Sequence, residues 1–203
     1  MTRALAFQAG SLLLSHPDPE TWHERTGAVR AAAPLLQARL ADPLLRFCDA
    51  VEGVPWVDLA ARYFATFHRT RRRTLDLTYY TDGDTRRRGA SLARVKAVMR
   101  EHGWEPGDGG LPDFLPTLLE FAARCGEPGE RLLAEHRPAL DLLWHALDDH
   151  GSPYADVLLT VREALPGGPT RADRAAVREL ARTGPPAEAV GLEPFTPAGG
   201  DLR

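Results

Sequence analysis

The side chains best suited to metal binding or nucleophilic chemistry in this sequence are its histidines and cysteines. The chain of 203 residues has seven histidines and two cysteines, Cys48 and Cys125. No two histidines stand four residues apart, and His145 and His150 are separated by five. The spacing therefore does not predict a metal held by the protein. Two distant thiols do not form a disulfide scaffold either, and they are typical of a reducing cytosol.

Catalytic and nucleotide-binding motifs are also missing from the sequence. It contains no Gly-x-Ser-x-Gly, no phosphate-binding loop and no Gly-x-Gly-x-x-Gly. Asp82-Gly83-Asp84 resembles a fragment of a calcium loop, but the remaining ligand positions are absent. A turn in which Asp84 or Thr85 caps the next helix is the favoured interpretation. We therefore predict a protein that is not an enzyme and binds no cofactor stably.

Positive charge is concentrated in one arginine-rich segment. Residues 62–100 have a net charge of +8, whereas the rest of the chain has −11. Arginines interspersed with aromatic residues can bind phosphates and stack on bases, so a nucleic-acid-binding regulator is one hypothesis. No helix-turn-helix or other nucleic-acid motif supports it. The arginines could equally pair with the acidic remainder of the chain.

The elements that must position these side chains are predicted to be helices, because helical periodicity dominates the sequence. One stretch after Pro55 has apolar residues at the i, i+3, i+4, i+7 spacing of a single wide stripe, which predicts the central core helix. The stripe consists of Trp56, Leu59, Ala60, Tyr63, Phe64 and Phe67. Residues 74–80 alternate like a strand, but no second clear strand is available for pairing. A helical or irregular link is therefore favoured there.

The predicted fold is all-α, a single-domain helical bundle of about eight or nine helices. It covers residues 1–183. One helix is expected to run from the turn at residues 81–85 to about His102, and a longer one to cover roughly residues 128–150. Eight of the residues 184–203 are glycine or proline, which predicts a mobile tail. No run of about 18 apolar residues exists, so no membrane span is expected. The N-terminal stretch is interpreted as a helix and not a signal peptide, which favours a cytoplasmic location.

The turn and its flanks resemble a known protein family. Residues 79–89 read Tyr-Tyr-Thr-Asp-Gly-Asp-Thr-Arg-Arg-Arg-Gly. This stretch is similar to the signature of the NarJ group, the nitrate reductase molybdenum-cofactor assembly chaperones. The group is a branch of the all-helical TorD-type redox-enzyme chaperones.

Further segments resemble the same family in the same order along nearly the whole chain. Residues 63–78 are similar to its central helix and the exit from that helix. Residues 111–121 are similar to its second motif, although Phe114 follows Asp113 where many relatives have histidine. Residues 184–195 are similar to its usual ending.

The resemblance implies a function in assembly. Such a protein is expected to bind the N-terminal segment of the nitrate reductase catalytic (alpha) subunit while the molybdenum cofactor is inserted. It would also prevent premature docking of the enzyme on its membrane anchor. The expected partner is this segment or the apoenzyme, with no nucleic acid and no stable membrane association.

The resemblance also suggests which residues bind the client, since an amphipathic client helix needs an apolar trough with a charged rim. The apolar candidates are Tyr63, Phe67, Leu75, Leu77, Tyr79, Tyr80, Phe114, Leu115 and Leu118. The charged candidates are Asp82, Asp84, Arg87, Asp113 and Glu120. For the aromatic stripe, a core position of Tyr63, Phe64 and Phe67 in their helix is nevertheless the favoured interpretation. Asp113 could instead serve only as an N-cap.

Overall fold

The fold is built from α-helices, in a computed structural model that describes residues 2–105 and 110–186. The helices are α1 (Thr2–Leu14), α2 (Trp22–Ala32), α3 (Ala38–Val51), α4 (Trp56–Phe67), α5 (Leu77–Asp82), α6 (Arg86–Glu101), α7 (Leu115–Cys125), α8 (Glu127–Glu135), α9 (Arg137–Asp148), α10 (Tyr154–Ala164) and α11 (Arg171–Thr183). Two 3₁₀ turns are Ala33–Leu35 and Arg71–Arg73. The predicted all-α class is confirmed.

Helix α1 lies at the centre of the fold, packed against α2, α7 and α10. Leucine and alanine make up most of it, and both favour helices. Gly10 permits the close approach of its neighbours. A Cβ atom there would lie 2.9 Å from Cγ2 of Val161 and 3.2 Å from Cδ1 of Leu119. The central helix is therefore α1, and the prediction that the helix after Pro55 occupies this place was wrong.

The described residues form eleven α-helices, more than the eight or nine predicted. One cause is the division of residues 128–150, expected as one helix, into α8 and α9 at His136. Pro138 lies at the start of α9. A proline has no N–H to donate, and its ring clashes with the carbonyl of the residue four positions earlier. The chain must therefore begin a new helix here.

The segment before α5 pairs with the segment before α7. Asp76 and Phe114 form an isolated antiparallel bridge. The Leu77 N–H donates to the Asp113 carbonyl at 3.1 Å, and the Leu115 N–H donates to the Leu75 carbonyl at 2.8 Å. The strand-like alternation after residue 74 thus has a partner that the sequence did not reveal. Helix α5 begins directly afterwards, so the expected helical link is present.

Helix α11 is held differently from the core helices. It has no buried residue and packs on α9. Its N-terminus has a capping box, in which Thr170 Oγ1 accepts the Asp173 N–H and the Asp173 carboxylate accepts the Thr170 N–H. Because none of its side chains is fully buried, α11 can leave its position with little loss of core packing.

Other sequence predictions can be placed against the described residues. No helix within 2–105 and 110–186 is long and apolar enough to cross a bilayer. Over the same ranges no cluster of histidine, cysteine and acidic side chains could hold a metal. Cys48 and Cys125 are free thiols. Of the predicted tail, residues 187–203 lie outside the described ranges, so its mobility stays a prediction.

Candidate functional site

Helix α4 exposes an apolar face to solvent. Val57 is 66% exposed and Phe64 is 59% exposed, while the adjoining Trp56 is 42% exposed. Val57, Ala61 and Phe64 share one side of the helix, because they are spaced by four and three residues. The opposite side of α4 is buried. The predicted single stripe is therefore two apolar faces, and the exposed one, Val57–Ala61–Phe64, is called the α4 face below. The core position favoured for Phe64 was wrong, whereas Tyr63 and Phe67 are buried as expected.

The α4 face leads to a polar pocket at the end of the helix. The ring of Phe64 stacks on that of His68, with centroids 5.2 Å apart and planes at 17°. His68 belongs to the wall of this pocket, which has a volume of about 290 Å³. The complete lining is Phe67, His68, Thr70, Arg71, Thr74, Asp76, Tyr79, Asp84 and Arg88. Apolar surface and charged pocket are thus continuous.

Three carboxylates surround the guanidinium of Arg88. Its Nη2 lies 3.5 Å from Asp76 Oδ2 and 3.6 Å from Asp113 Oδ2, and its Nη1 lies 3.9 Å from Asp84 Oδ1. Burial, and then the charge of Asp113, raise the pKa of Asp76, while Arg88 opposes them. The ion pair only partly offsets the cost of burying these charges.

Asp113 is completely buried and caps α5 from outside that helix. Its Oδ2 accepts the Thr78 N–H at 3.1 Å and the Thr78 hydroxyl at 2.5 Å. Arg88 Nε donates in turn to Thr78 Oγ1 at 3.3 Å. Asp113 does not cap α7, the helix that follows it in sequence. The simple N-cap interpretation is therefore wrong, and Asp113 instead joins three segments.

The network also contains buried polar atoms without a partner. Within the described residues, Asp113 Oδ1 and Arg88 Nη2 are buried and have no hydrogen-bond partner. Such atoms normally carry a free-energy cost. Beside the polar pocket, these two atoms mark a place where charge is not fully compensated.

The rim of the polar pocket is formed by the turn after α5. Arg71 pairs with Asp84, and its guanidinium carbon lies 5.4 Å from the centre of the Tyr79 ring. Thr85 precedes α6, but its hydroxyl does not cap that helix and donates instead at 2.7 Å to the carbonyl of Asp82, the last residue of α5. The capping role predicted for Asp84 or Thr85 is therefore not observed, since Asp84 pairs with arginines.

Tyr80 anchors the 3₁₀ turn to α5 from the interior. Its hydroxyl lies 3.1 Å from the carbonyl oxygens of Arg72 and Thr74, to which it can donate. Burial is the main cause that raises the pKa of Tyr80 well above its usual range. The neutral hydroxyl is thus a structural donor, and the neighbouring Tyr79 is the tyrosine presented at the rim.

Gly83 lies beneath the segment that follows α11. Its φ of +58° and ψ of −149° are accessible essentially to glycine alone. A Cβ atom there would lie 1.7 Å from the carbonyl oxygen of Pro186. The segment also borders a cleft of about 460 Å³ between α5, α9 and α11. That cleft is lined by Arg71, Arg72, Tyr79, Tyr80, Leu142, His145, Ala146, Asp149, Leu180, Ala181, Arg182, Thr183, Gly184 and Pro185.

A family model described as nitrate reductase delta subunit matches residues 26–160. This is about two thirds of the chain. The chain belongs to the nitrate reductase delta subunit family. The matched range contains the α4 face, the polar pocket and the Arg88 network, whereas α11 lies outside it.

Named relatives extend this family assignment. NarX of Mycobacterium tuberculosis H37Rv, a nitrate reductase-like protein, is 34% identical over 158 residues, 77% of this chain and 24% of NarX. The probable assembly chaperone NarJ of Bacillus subtilis is 29% identical over 164 residues, 80% of this chain and 89% of that protein. NarJ of Escherichia coli K12 is 30% identical over 155 residues, 73% and 66% of the two chains. The chain thus spans about a quarter of NarX and most of the Bacillus protein.

These matches confirm the resemblance to the NarJ group. Both NarJ relatives are named as nitrate reductase molybdenum cofactor assembly chaperones, which supports a chaperone role for members of the nitrate reductase delta subunit family. The expectation that the chain is not an enzyme agrees with this family.

The structure distributes the predicted client-binding residues between interior and surface. Buried among them are Tyr63, Phe67, Leu75, Leu77, Tyr80, Asp82, Asp113, Leu115 and Leu118. Tyr79, Phe114 and Glu120 are partly buried, whereas Asp84 and Arg87 are exposed. The polar pocket brings together Phe67, Tyr79 and Asp84, with Asp113 attached through Arg88. Leu118 and Glu120 are not part of the described lining, and Glu120 pairs with Arg124 on α7 at 3.1 Å.

The sequence interpretation missed several residues of this candidate site. Val57, His68, Asp76 and Thr78 were not selected. The four- and three-residue spacing of Val57, Ala61 and Phe64 was a readable signal for an exposed apolar face. Asp76 had no comparable signal, because its pairing with Arg88 depends on the tertiary fold.

Proposed function

We propose that this chain is an assembly chaperone for respiratory nitrate reductase that binds the N-terminal segment of the catalytic subunit. Binding would hold this segment while the molybdenum cofactor is inserted and would delay docking on the membrane anchor. We further propose that this takes place in the cytoplasm, without stable association of the chain with the membrane. The chain itself holds no cofactor in this proposal.

The observation that carries the proposal is the exposed α4 face joined to a polar pocket. An amphipathic helix binds where an apolar strip is bordered by charge. From Val57 to His68 the helix rises by about 16 Å, which matches roughly three turns of a docked helix. Soluble proteins rarely leave several large apolar side chains together in water without a use for them.

The charges around the strip suit a client of mixed charge. Asp76 and Asp84 face the polar pocket, and Arg71 and Arg88 lie beside them. Basic client residues could therefore meet the carboxylates, and acidic ones the guanidinium groups. Such pairs contribute more to orientation and partner choice than to affinity.

The same pairs weigh against the nucleic-acid hypothesis for residues 62–100. Arg71 pairs with Asp84, Arg88 with Asp76 and Asp113, and Arg94 with Glu135. These arginines are partly neutralised by the chain's own carboxylates. A nucleic-acid surface needs cations that are free to contact phosphates.

The test is isothermal titration of a peptide that copies the catalytic subunit's N-terminus into the full chain. We expect saturable binding with a negative heat-capacity change, because apolar surface is buried. Phe64→Ala should weaken binding by about tenfold or more, as expected for an aromatic residue at the centre of an interface. Absence of saturable binding at low and moderate salt would overturn the proposal.

Leu35→Ala is the matched control. Leu35 is also a large exposed apolar residue, but it lies in the 3₁₀ turn between α2 and α3. We expect its loss to leave peptide affinity unchanged, with the helical circular dichroism of both variants like that of the unmodified chain. Equal weakening by both substitutions would show that the α4 face is not the docking surface.

A further inference from the structure

Arg71 occupies a position that has the two features by which proteins hold a guanidinium group. The Tyr79 ring faces its guanidinium carbon at 5.4 Å, and the Asp84 carboxylate pairs with it. An aromatic face and a carboxylate together provide cation–π attraction and charge-assisted hydrogen bonds. The chain thus contains a guanidinium site that one of its own side chains fills.

The two halves of this contact differ in how firmly they are held. Arg71 is on the 3₁₀ turn, and its side chain is 66% exposed. Tyr79 belongs to α5. Asp113 caps this helix, and the bridge between Asp76 and Phe114 holds the backbone just before it. Exposed ion pairs and exposed cation–π contacts are each weak. The Tyr79 ring is therefore held firmly, and Arg71 can be exchanged. Asp84 lies in the turn directly after α5, and its side chain is 56% exposed.

Removal of Arg71 from the pocket changes its charge balance. The remaining charged lining is Asp76, Asp84 and Arg88, with Asp113 buried behind Arg88. Three carboxylates then face one guanidinium. A pocket of this charge attracts a cation that enters from solvent.

We infer that Tyr79 and Asp84 form a receptor for an arginine of the client helix, and that Arg71 fills it until that arginine displaces it. The inference rests on the proposed function. Phe67 and His68, at the end of α4, line the same pocket as Tyr79 and Asp84. A helix docked on the α4 face can therefore deliver a side chain there.

Internal competition has an unusual signature, because removal of a contact improves binding. Two forms of the client peptide would be titrated, one with a single arginine and one with neutral citrulline in its place. Arg71→Ala should raise affinity for the arginine peptide about fivefold, the scale of one weak ion pair plus one cation–π contact. It should not raise affinity for the citrulline peptide.

Arg69→Ala is the matched control for charge. Arg69 is exposed and lies two residues from Arg71, outside the pocket lining. Its removal should change either affinity by less than about twofold. Asp84→Asn should lower affinity for the arginine peptide to that for the citrulline peptide. Unchanged or lower affinity of Arg71→Ala for the arginine peptide would overturn the inference.

A small probe separates this inference from the proposed function. N-acetyl-arginine amide would be titrated into the Arg71→Ala chain and followed by NMR of the Tyr79 ring. Saturable shifts at millimolar concentrations, absent with the citrulline analogue, would support the receptor even if no client peptide binds. No shifts with the arginine compound would overturn it even if the peptide binds on the α4 face.

Discussion

Two phenylalanines show how differently the fold treats its centre and its candidate site. Phe7 on α1 is completely buried, whereas Phe64 on α4 is 59% exposed. On α1, the buried Ser11 hydroxyl has a partner, since it donates to the Pro116 carbonyl at 2.9 Å. Around the end of α4 the fold leaves apolar surface open and buries incompletely paired charge. The centre is packed for stability. At the site, a partner that covers the apolar surface or pairs with the charge would lower the free energy.

The largest effect that separates these regions should come from truncating the two rings. Phe7→Ala should lower the free energy of unfolding by about 3–5 kcal/mol, because it leaves a cavity in a close-packed core. Phe64→Ala should change it by less than about 0.5 kcal/mol. Urea denaturation followed by circular dichroism measures both. Similar losses would mean that Phe64 is packed as a core residue.

The Arg88 network should show the next largest effect. Asp113→Ala removes the α5 cap and a buried carboxylate, and we expect a loss of about 3 kcal/mol in unfolding free energy. Asp84→Ala removes an exposed carboxylate from the same guanidinium and should cost less than about 1 kcal/mol. Chemical denaturation of the two variants compares them directly. Equal costs would contradict the role of Asp113 in holding α5.

The sequence was most informative where local periodicity and turn chemistry decide the structure. The helix after the turn at residues 81–85 was expected to end near His102, and α6 ends at Glu101. The turn itself was located from its own residues, Asp82-Gly83-Asp84. The division at His136 was missed although Pro138 signalled it, since a proline near the start of one helix can be misread as an interior proline of a longer one.

Tertiary facts about the site were not available from the sequence. Periodicity showed that α4 is apolar, but it could not show which of two apolar faces other helices cover. The partners of Asp113 also come from distant segments, because Thr78 and Arg88 reach it across the bridge at Asp76. The sequence suggested that Asp113 caps the helix that follows it, which is the simplest local role. In the structure, Asp113 instead binds Thr78 and Arg88, which come from other segments.

The third effect concerns the segment that covers the turn. Gly83→Ala should cost about 1–3 kcal/mol, because the backbone conformation is strained for alanine and the Cβ atom would meet Pro186. Hydrogen exchange should show faster opening of α11. Gly89→Ala is the control, since Gly89 lies in α6 with open space around its Cβ position. That change should stabilise by up to about 1 kcal/mol. Unchanged α11 exchange in Gly83→Ala would show that residues 184–186 do not anchor the helix.

The smallest effect tests whether the buried charge of the site really costs stability. Burial and the charge of Asp113 raise the pKa of Asp76, so the folded chain takes up a proton there more readily than the unfolded chain. As pH rises from the ordinary pKa of about 3.9 to the raised pKa in the folded chain, the contribution of Asp76 to the free energy of unfolding therefore falls.

Asp76→Asn keeps this side chain neutral at every pH and should remove that loss. We expect the variant to match the unmodified chain near pH 4 and to exceed its unfolding free energy at pH 7, by less than about 1 kcal/mol. Burial lowers the pKa of His136, which makes both chains less stable in acid. This contribution cancels in the difference between them at each pH. A difference that stays constant from pH 4 to pH 7 would mean that Arg88 fully compensates the charge of Asp76. The site would then differ from the centre of the fold mainly in its exposed apolar surface.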